Sequence, residues 1–237
     1  MHRSNGPGAA GFLCLAALLA VAVGGAAAAR AGAPGAARPI LSEPPAKADP
    51  AATYLFYLHG RIVQEQGREA VSPKYGRYEY DAILARLAEA GLVVLSEVRP
   101  KDMETSAYAG RVAGQIRRLL DAGVPARRIT VVGASMGGYI AMLVSNRLTV
   151  REIGYVFMGS CDEDTLKLGD GLHGEALSIF EATDELEQSC APQFARAGGL
   201  GRHAEVRLET GLHHGFLYRA MPEWIGPVVR WARERAA

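Results

Sequence analysis

Apolar and polar positions follow two different periods along this chain, and the switches between them mark its elements. Apolar-rich runs occur at Ala52–Leu58, Leu92–Val98, Ile129–Val132, Ile153–Met158 and Ala176–Phe180. Runs of this length, bounded by Gly, Pro or polar residues, predict strands buried on both faces. A sixth segment, Ala204–Glu209, alternates apolar and polar residues and predicts an edge strand. Between the runs the spacing becomes helical. Ile83, Leu84 and Leu87 share one face of a helix predicted over Tyr80–Ala90, closed by Gly91. Val112, Ile116, Leu119 and Leu120 do the same for Ser106–Ala122, with Gly123 as its cap. Met136–Arg147 and Pro222–Ala236 keep the period, the second with Trp224, Ile225, Val228, Val229 and Trp231 on its inner side. The stretch from Ile62 to Arg77 is polar and predicts a loop. Strands alternating with helices imply right-handed crossovers and an α/β fold with a doubly wound, mostly parallel sheet of about six strands. Functional loops then lie at the carboxyl ends of the strands.

Ahead of these elements the pattern changes. His2 and Arg3 precede the apolar run Gly11–Val23, and small residues continue to Ala29. This is the n-region, h-region and Ala-x-Ala-like end of a signal peptide over residues 1–29, with cleavage after Ala29. The uncharged stretch Ala9–Ala29 also reaches the roughly 20 residues a membrane span requires, so an uncleaved anchor is the alternative. Its many Ala and Gly residues make a weak span, and the expectation is an exported chain, periplasmic or secreted. No stable membrane partner is expected once the signal is removed. Residues 30–50 hold Pro34, Pro39, Pro44, Pro45 and Pro50 and read as an extended linker. Residues 51–237 remain as one domain.

The chain of 237 residues has a formal net charge of +1, which argues against nucleic acid as its main partner. Cys14 lies in the signal, leaving Cys161 and Cys190 in the mature chain. An even count in an oxidising compartment leaves two readings open, a disulfide or two half-buried thiols. No His-Glu-x-x-His spacing calls for a metal, and no Lys-Ser or Lys-Thr pair follows Gly138 to make a phosphate loop. The sequence therefore asks for no cofactor.

The chemistry concentrates at Val131-Val132-Gly133-Ala134-Ser135-Met136-Gly137-Gly138, where a predicted strand turns directly into a predicted helix. A residue at so sharp a turn is held in a strained conformation and needs small neighbours. Gly133 and Gly137 supply them two positions either side of Ser135, and Gly138 adds room for helix–strand packing. The serine hydroxyl then stands at the top of the sheet, in front of a helix N-terminus. This stretch resembles the nucleophile elbow of the α/β-hydrolase superfamily, and the likeness extends over about residues 52–236.

The resemblance implies a small serine esterase or lipase-like enzyme without a separate cap domain. Its strand order, in chain numbering of the six predicted strands, is second-first-third-fourth-fifth-sixth. It places an acid after the fifth strand and a histidine after the sixth. In Phe180-Glu181-Ala182-Thr183-Asp184, the acid is Asp184, with Glu181 as the alternative and Asp162 or Asp164 as a further source. In Gly211-Leu212-His213-His214-Gly215-Phe216, the His-Gly-Phe context points to His214 over His213. His2, His173 and His203 read as solvated surface. The oxyanion donors it implies are the backbone N–H groups of Met136 and of Arg61, after His59-Gly60. His59 itself is expected to make structural hydrogen bonds.

The implied reaction is acyl transfer from a small ester to water through Ser135, His214 and Asp184. Thioester and peptide cleavage, and a non-catalytic binding protein that kept the fold, are the alternatives. Arg61, Arg68, Lys74, Arg77, Arg99 and Lys101 fall on loops at the carboxyl side of the strands. They read as a solvated rim, or else as a preference for an anionic substrate. Neighbouring fourth and fifth strands would place Cys161 and Cys190 on adjacent loops, within reach of a bridge.

Overall fold

A computed structural model describes residues 37–186 and 188–236. The signal peptide, its cleavage point, Cys14 and the first part of the linker lie outside the described residues. In chain order the elements are β1 (Ile40–Leu41), β2 (Tyr54–Leu58), α1 (Arg61–Gln66), β3 (Val71–Ser72), β4 (Gly76–Arg77), α2 (Tyr80–Glu89), β5 (Val93–Leu95) and α3 (Thr105–Asp121). They continue with β6 (Ile129–Ala134), α4 (Met136–Leu148), β7 (Gly154–Met158), β8 (His173–Glu181), α5 (Ala191–Arg196), β9 (Gly199–Leu208) and α6 (Pro222–Ala236). Short 3₁₀ turns include His213–Tyr218, after β9.

Among the described residues seven strands form one sheet in the order β1-β5-β2-β6-β7-β8-β9, and every pairing in it is parallel. The six expected strands take the expected order. The strand carrying the elbow, β6, is central, with β2 and β7 on its two sides.

Successive residues of each strand serve opposite cores, as the two-residue period dictates. Tyr54, Phe56, Val131, Tyr155 and Phe157 face α3 and α4, where they meet Val112, Ile116 and Ile140. Leu55, Tyr57, Val132, Val156 and Ile179 face α2 and α6, where they meet Ile83, Leu87, Trp224 and Val228. Burial on both faces explains why these strands read as unbroken apolar runs.

Four features depart from the sequence expectation. The linker contributes β1, whose backbone accepts from Val94 N at Pro39 O (3.1 Å) and from Ser96 N at Leu41 O (2.8 Å). The polar loop Ile62–Arg77 holds a helical turn, α1, and the β3–β4 ribbon. Val63 of α1 is fully buried, and the Ser72 hydroxyl accepts from Lys74 N and Tyr75 N, which folds the ribbon back on itself. The second expected strand ends early, at Leu95, and just beyond it the Ser96 hydroxyl donates to Tyr57 O (2.7 Å). Finally, β9 begins at Gly199, five residues before its apolar pattern does. A side chain at Gly199 would meet the His173 ring at 2.4 Å, so this half of the strand is built on residues that leave no hydropathy signal.

Candidate active site

Ser135 sits between β6 and α4 with φ 52° and ψ −122°, a conformation disfavoured for a side chain and held only by its surroundings. Ser135 N donates to Met158 O at 2.8 Å, and Ser135 O accepts from Gly138 N at 2.7 Å. The flanking glycines are required by space. A Cβ at Gly133 would lie 2.2 Å from Gly137 O, and one at Gly137 would lie 1.9 Å from Leu58 O. Gly60, on the neighbouring loop, comes close enough that a Cβ there would touch the Ser135 Cβ at 3.7 Å.

The acid and histidine loops meet beside it. Asp184 follows β8 and His214 lies in the 3₁₀ turn after β9. His214 Nδ1 and Asp184 Oδ2 are 2.7 Å apart and both side chains are buried. The other carboxylate oxygen of Asp184 accepts from Leu186 N at 3.0 Å, so both oxygens are engaged. His214 packs its ring against Tyr75, at 6.2 Å between centroids, and lies over Gly159, where any side chain would approach its Cε1.

Ser135 and His214 line one cleft of about 350 Å³, together with Gly60, Arg61, Tyr75 and Leu217. A second cleft of about 390 Å³ opens on the other side of Ser135 and is lined by Arg61, Met136, Ser160 and Asp162. A cleft of about 440 Å³ beside the cysteines contains neither Ser135 nor His214. Ser135, His214, Arg61 and Met136 thus converge, with Asp184 behind the histidine. Asp162 lies in the second cleft and Asp164 beside it, away from His214.

Glu181, the alternative acid, has a different place. It is buried, and its carboxylate accepts from Thr210 N (2.9 Å), Thr210 Oγ1 (2.7 Å), Gly211 N (3.2 Å) and the Thr183 hydroxyl (3.2 Å). It therefore clamps the acid loop to the histidine loop. Burial alone would raise its pKa, but the bonds from Thr210, Gly211 and Thr183 outweigh that and hold it below the ordinary value.

His213 is exposed at φ 52°, and its Nδ1 bonds to Thr183 O, tying the same two loops from outside. Of the histidines expected to be solvated, His203 is exposed and lies over Phe194, while His173 is half-buried, with Nδ1 on Gly171 O at 2.8 Å. The His59 ring is fully buried. Its Nε2 accepts from Arg99 N at 3.0 Å, which leaves Nδ1 as the protonated nitrogen, 2.8 Å from Gly60 O. Burial first, and the nearby Arg99 charge second, push the His59 pKa down to about 3.

One residue of the expected basic rim is not on the rim. Arg99 is 1 % exposed, whereas Arg68 and Arg77 form exposed pairs with Asp81 and Glu69. Sequence reasoning missed this burial because residue type alone places arginine outside. The one available signal was Arg99's position at the end of a buried strand, directly before Pro100. Tyr75 supplies a wall of the site from the polar loop Ile62–Arg77, which the sequence places over an open site without singling out Tyr75.

Cys161, after β7, and Cys190, before α5, are joined by a disulfide with Cα atoms 5.2 Å apart. Among the described residues no group of His, Cys, Asp and Glu is arranged to hold a metal ion, and no helix is long and apolar enough to cross a membrane.

No family model and no curated protein sequence matches the chain. Solved structures do. The esterase domain of a Rhodothermus marinus protein is similar at TM-score 0.56 and 16% identity, over 82% of this chain and 92% of that one. Arabidopsis thaliana SOBER1 is similar at TM-score 0.53 and 12% identity, over 78% of this chain and 100% of that one. The Pyrococcus furiosus esterase Pf2001 is similar at TM-score 0.54 and 14% identity, over 78% and 85%. The chain has the α/β-hydrolase fold.

Proposed function

We propose that this protein is an exported serine hydrolase that cleaves small carboxylic esters. The observation that carries the reading is the buried His214–Asp184 pair at 2.7 Å, whose histidine lines the same cleft as a serine held at φ 52°. A serine hydroxyl is a weak nucleophile until a base accepts its proton. Asp184 occupies His214 Nδ1, so Nε2 is the basic nitrogen left for the cleft.

Ser135 Oγ attacks the ester carbonyl and His214 Nε2 takes its proton. Asp184 fixes the imidazole tautomer and stabilises the imidazolium. The carbonyl oxygen becomes an oxyanion held by the N–H groups of Met136 and Arg61. As the C–O bond breaks, His214 delivers the proton to the leaving alcohol. Water then attacks the acyl-enzyme, again losing its proton to His214, which returns it to Ser135 Oγ as the Ser135–acyl bond breaks and the acid departs. The reaction uses no cofactor.

The esterase descriptions of two of the similar structures favour an ester over a thioester or a peptide bond. Fluorophosphonate probes test the reading, because they label only an activated serine. The wild type should be labelled and Ser135→Ala should not. A folded, unlabelled wild type would overturn it and leave a binding protein that kept the fold. A panel of esters of graded acyl length and charge then identifies the substrate. Amino-terminal sequencing of the exported protein tests cleavage after Ala29.

A further inference from the structure

We propose that Arg99 is a positioning residue for the oxyanion site, acting on the peptide between Gly60 and Arg61. The inference rests on the serine-hydrolase reading, in which the Arg61 N–H is one of the two oxyanion donors.

Arginine is costly to bury, and it is ordinarily paired with a carboxylate when it is. Arg99 is 1 % exposed and has no such partner among the described residues. Its guanidinium lies over the Tyr108 ring at 5.5 Å, and Nη1 is buried with no hydrogen-bond partner among the described residues. Burial pulls its pKa down to about 10, against the favourable field of the surrounding tyrosines. A charge retained at such a site needs a reason.

Its bonds supply one. Nη2 donates to His59 O at 2.6 Å and to Gly60 O at 3.3 Å, while Nε donates to Gln64 Oε1 at 3.1 Å. The Arg99 amide fixes the His59 tautomer, and His59 Nδ1 donates to the same Gly60 O at 2.8 Å. Two donors therefore converge on one carbonyl. That carbonyl belongs to the peptide whose nitrogen is the Arg61 N–H. A peptide is planar and trans, so its C=O and N–H point in opposite directions. Anchoring the oxygen inside the protein aims the N–H outward, toward the clefts that Arg61 and Ser135 share. A cation on the oxygen also polarises the N–H, which strengthens it as a donor. Arg99 so acts on the oxyanion without touching it.

Arg99→Met keeps much of the side-chain length and removes the donors. Losing an oxyanion donor lowers kcat by about 10²–10³-fold, and misplacing one should cost about 10–100-fold. The loss should fall on kcat, with KM within about threefold, and a trifluoromethyl ketone that forms a tetrahedral adduct should lose affinity by the same factor. Arg99→Lys, which keeps a cation in reach of a carbonyl, should lie between, about 3–10-fold below wild type in kcat. A folded Arg99→Met with wild-type kcat, or a loss carried by KM alone, overturns the proposal. Should Arg99→Met not fold, Arg99→Lys decides, and an unchanged kcat overturns it.

A readout independent of turnover separates this proposal from the reading beneath it. The Arg61 amide resonance in a ¹H–¹⁵N spectrum should move in Arg99→Lys, and an unmoved resonance overturns the role of Arg99. Full turnover in Ser135→Ala would overturn the serine-hydrolase reading instead.

Discussion

At the scale of single residues, adjacent histidines have opposite environments and should behave differently. His214 is buried against Asp184, and its loss should lower kcat by roughly 10³-fold or more, leaving only binding and oxyanion stabilisation. His213 is exposed and bonds to the back of the acid turn, at Thr183 O, so His213→Ala should keep turnover within about tenfold of wild type. Steady-state rates with one ester rank the two, and the reverse ranking would reject His214 as the base. Glu181 leads to a pH prediction. Its folded pKa lies below the ordinary carboxylate value, so its stabilisation is present above the unfolded pKa. That stabilisation is lost as pH falls through the lower, folded value. Hydrogen bonds to a charged group contribute about 1.5–3 kcal/mol, so Glu181→Gln should destabilise by about that much at pH 7. The gap from wild type should narrow below about pH 4.3 and vanish in stronger acid. Urea unfolding of both proteins across that range measures it, and a gap that persists unchanged at low pH would refute the assignment.

At the scale of elements, the turn from β6 into α4 is first of all a packing device. The N-terminal turn of α4 lies against the end of β2, and a Cβ on Gly137 would meet Leu58 O at 1.9 Å and His59 O at 2.9 Å. Both are backbone atoms, so no rotamer change relieves the clash. Gly137→Ala should cost at least the ~1–3 kcal/mol of ordinary overpacking and should displace Ser135 as well. Thermal melting and probe labelling should both fall, and wild-type values in either would mean the helix sits further from β2. The same packing explains what could be read from sequence. Five strands and four long helices were legible because burial on two faces, or on one helical stripe, writes itself in hydropathy, and the second half of β9 because apolar and polar residues alternate there. The elbow was legible because its glycines are forced by sterics. The remainder depends on partners distant in sequence. Ile40 and Leu41 form a strand only because the free edge of β5 is there to pair with. The start of β9 is carried by Gly199 and Gly201, which have no side chain to show a period. Arg99 is buried by the carbonyls it binds, and neither its type nor its spacing announces them. Asp184 and His214 were accessible through the resemblance of their loops, whereas the role of Glu181 as a clamp depends on Thr210 and Gly211, distant in sequence.

At the scale of the whole molecule, the parallel sheet brings every functional loop to one edge. The loops after β2, β6, β8 and β9 supply Arg61, Ser135, Asp184 and His214 respectively, so the site depends on how those loops are held to one another. Glu181 and His213 hold the last two together. The disulfide holds the loop after β7 to the segment following Asp184. Cys161 and Cys190 are separated by 29 residues in sequence, and the chain-entropy model assigns a loop of that size about 3–4 kcal/mol. The bridge does more than constrain the unfolded chain, because Gln188 N donates to Cys161 O at 3.0 Å and Cys190 N to Glu205 at 2.7 Å. The covalent link and these bonds together close the far end of the segment that begins at Asp184. Replacing both cysteines by serine should therefore lower stability by about 3–4 kcal/mol and also lower kcat, since a looser Asp184 holds His214 less well in one tautomer. Restoring the rate by adding ester alone would show that the loss lies in KM and that the bridge has no bearing on the acid. Peptide mapping of unreduced protein from the exported fraction is the direct measurement. It should yield the Cys161–Cys190 pair, and finding both thiols free to alkylation there would rule out the bridge.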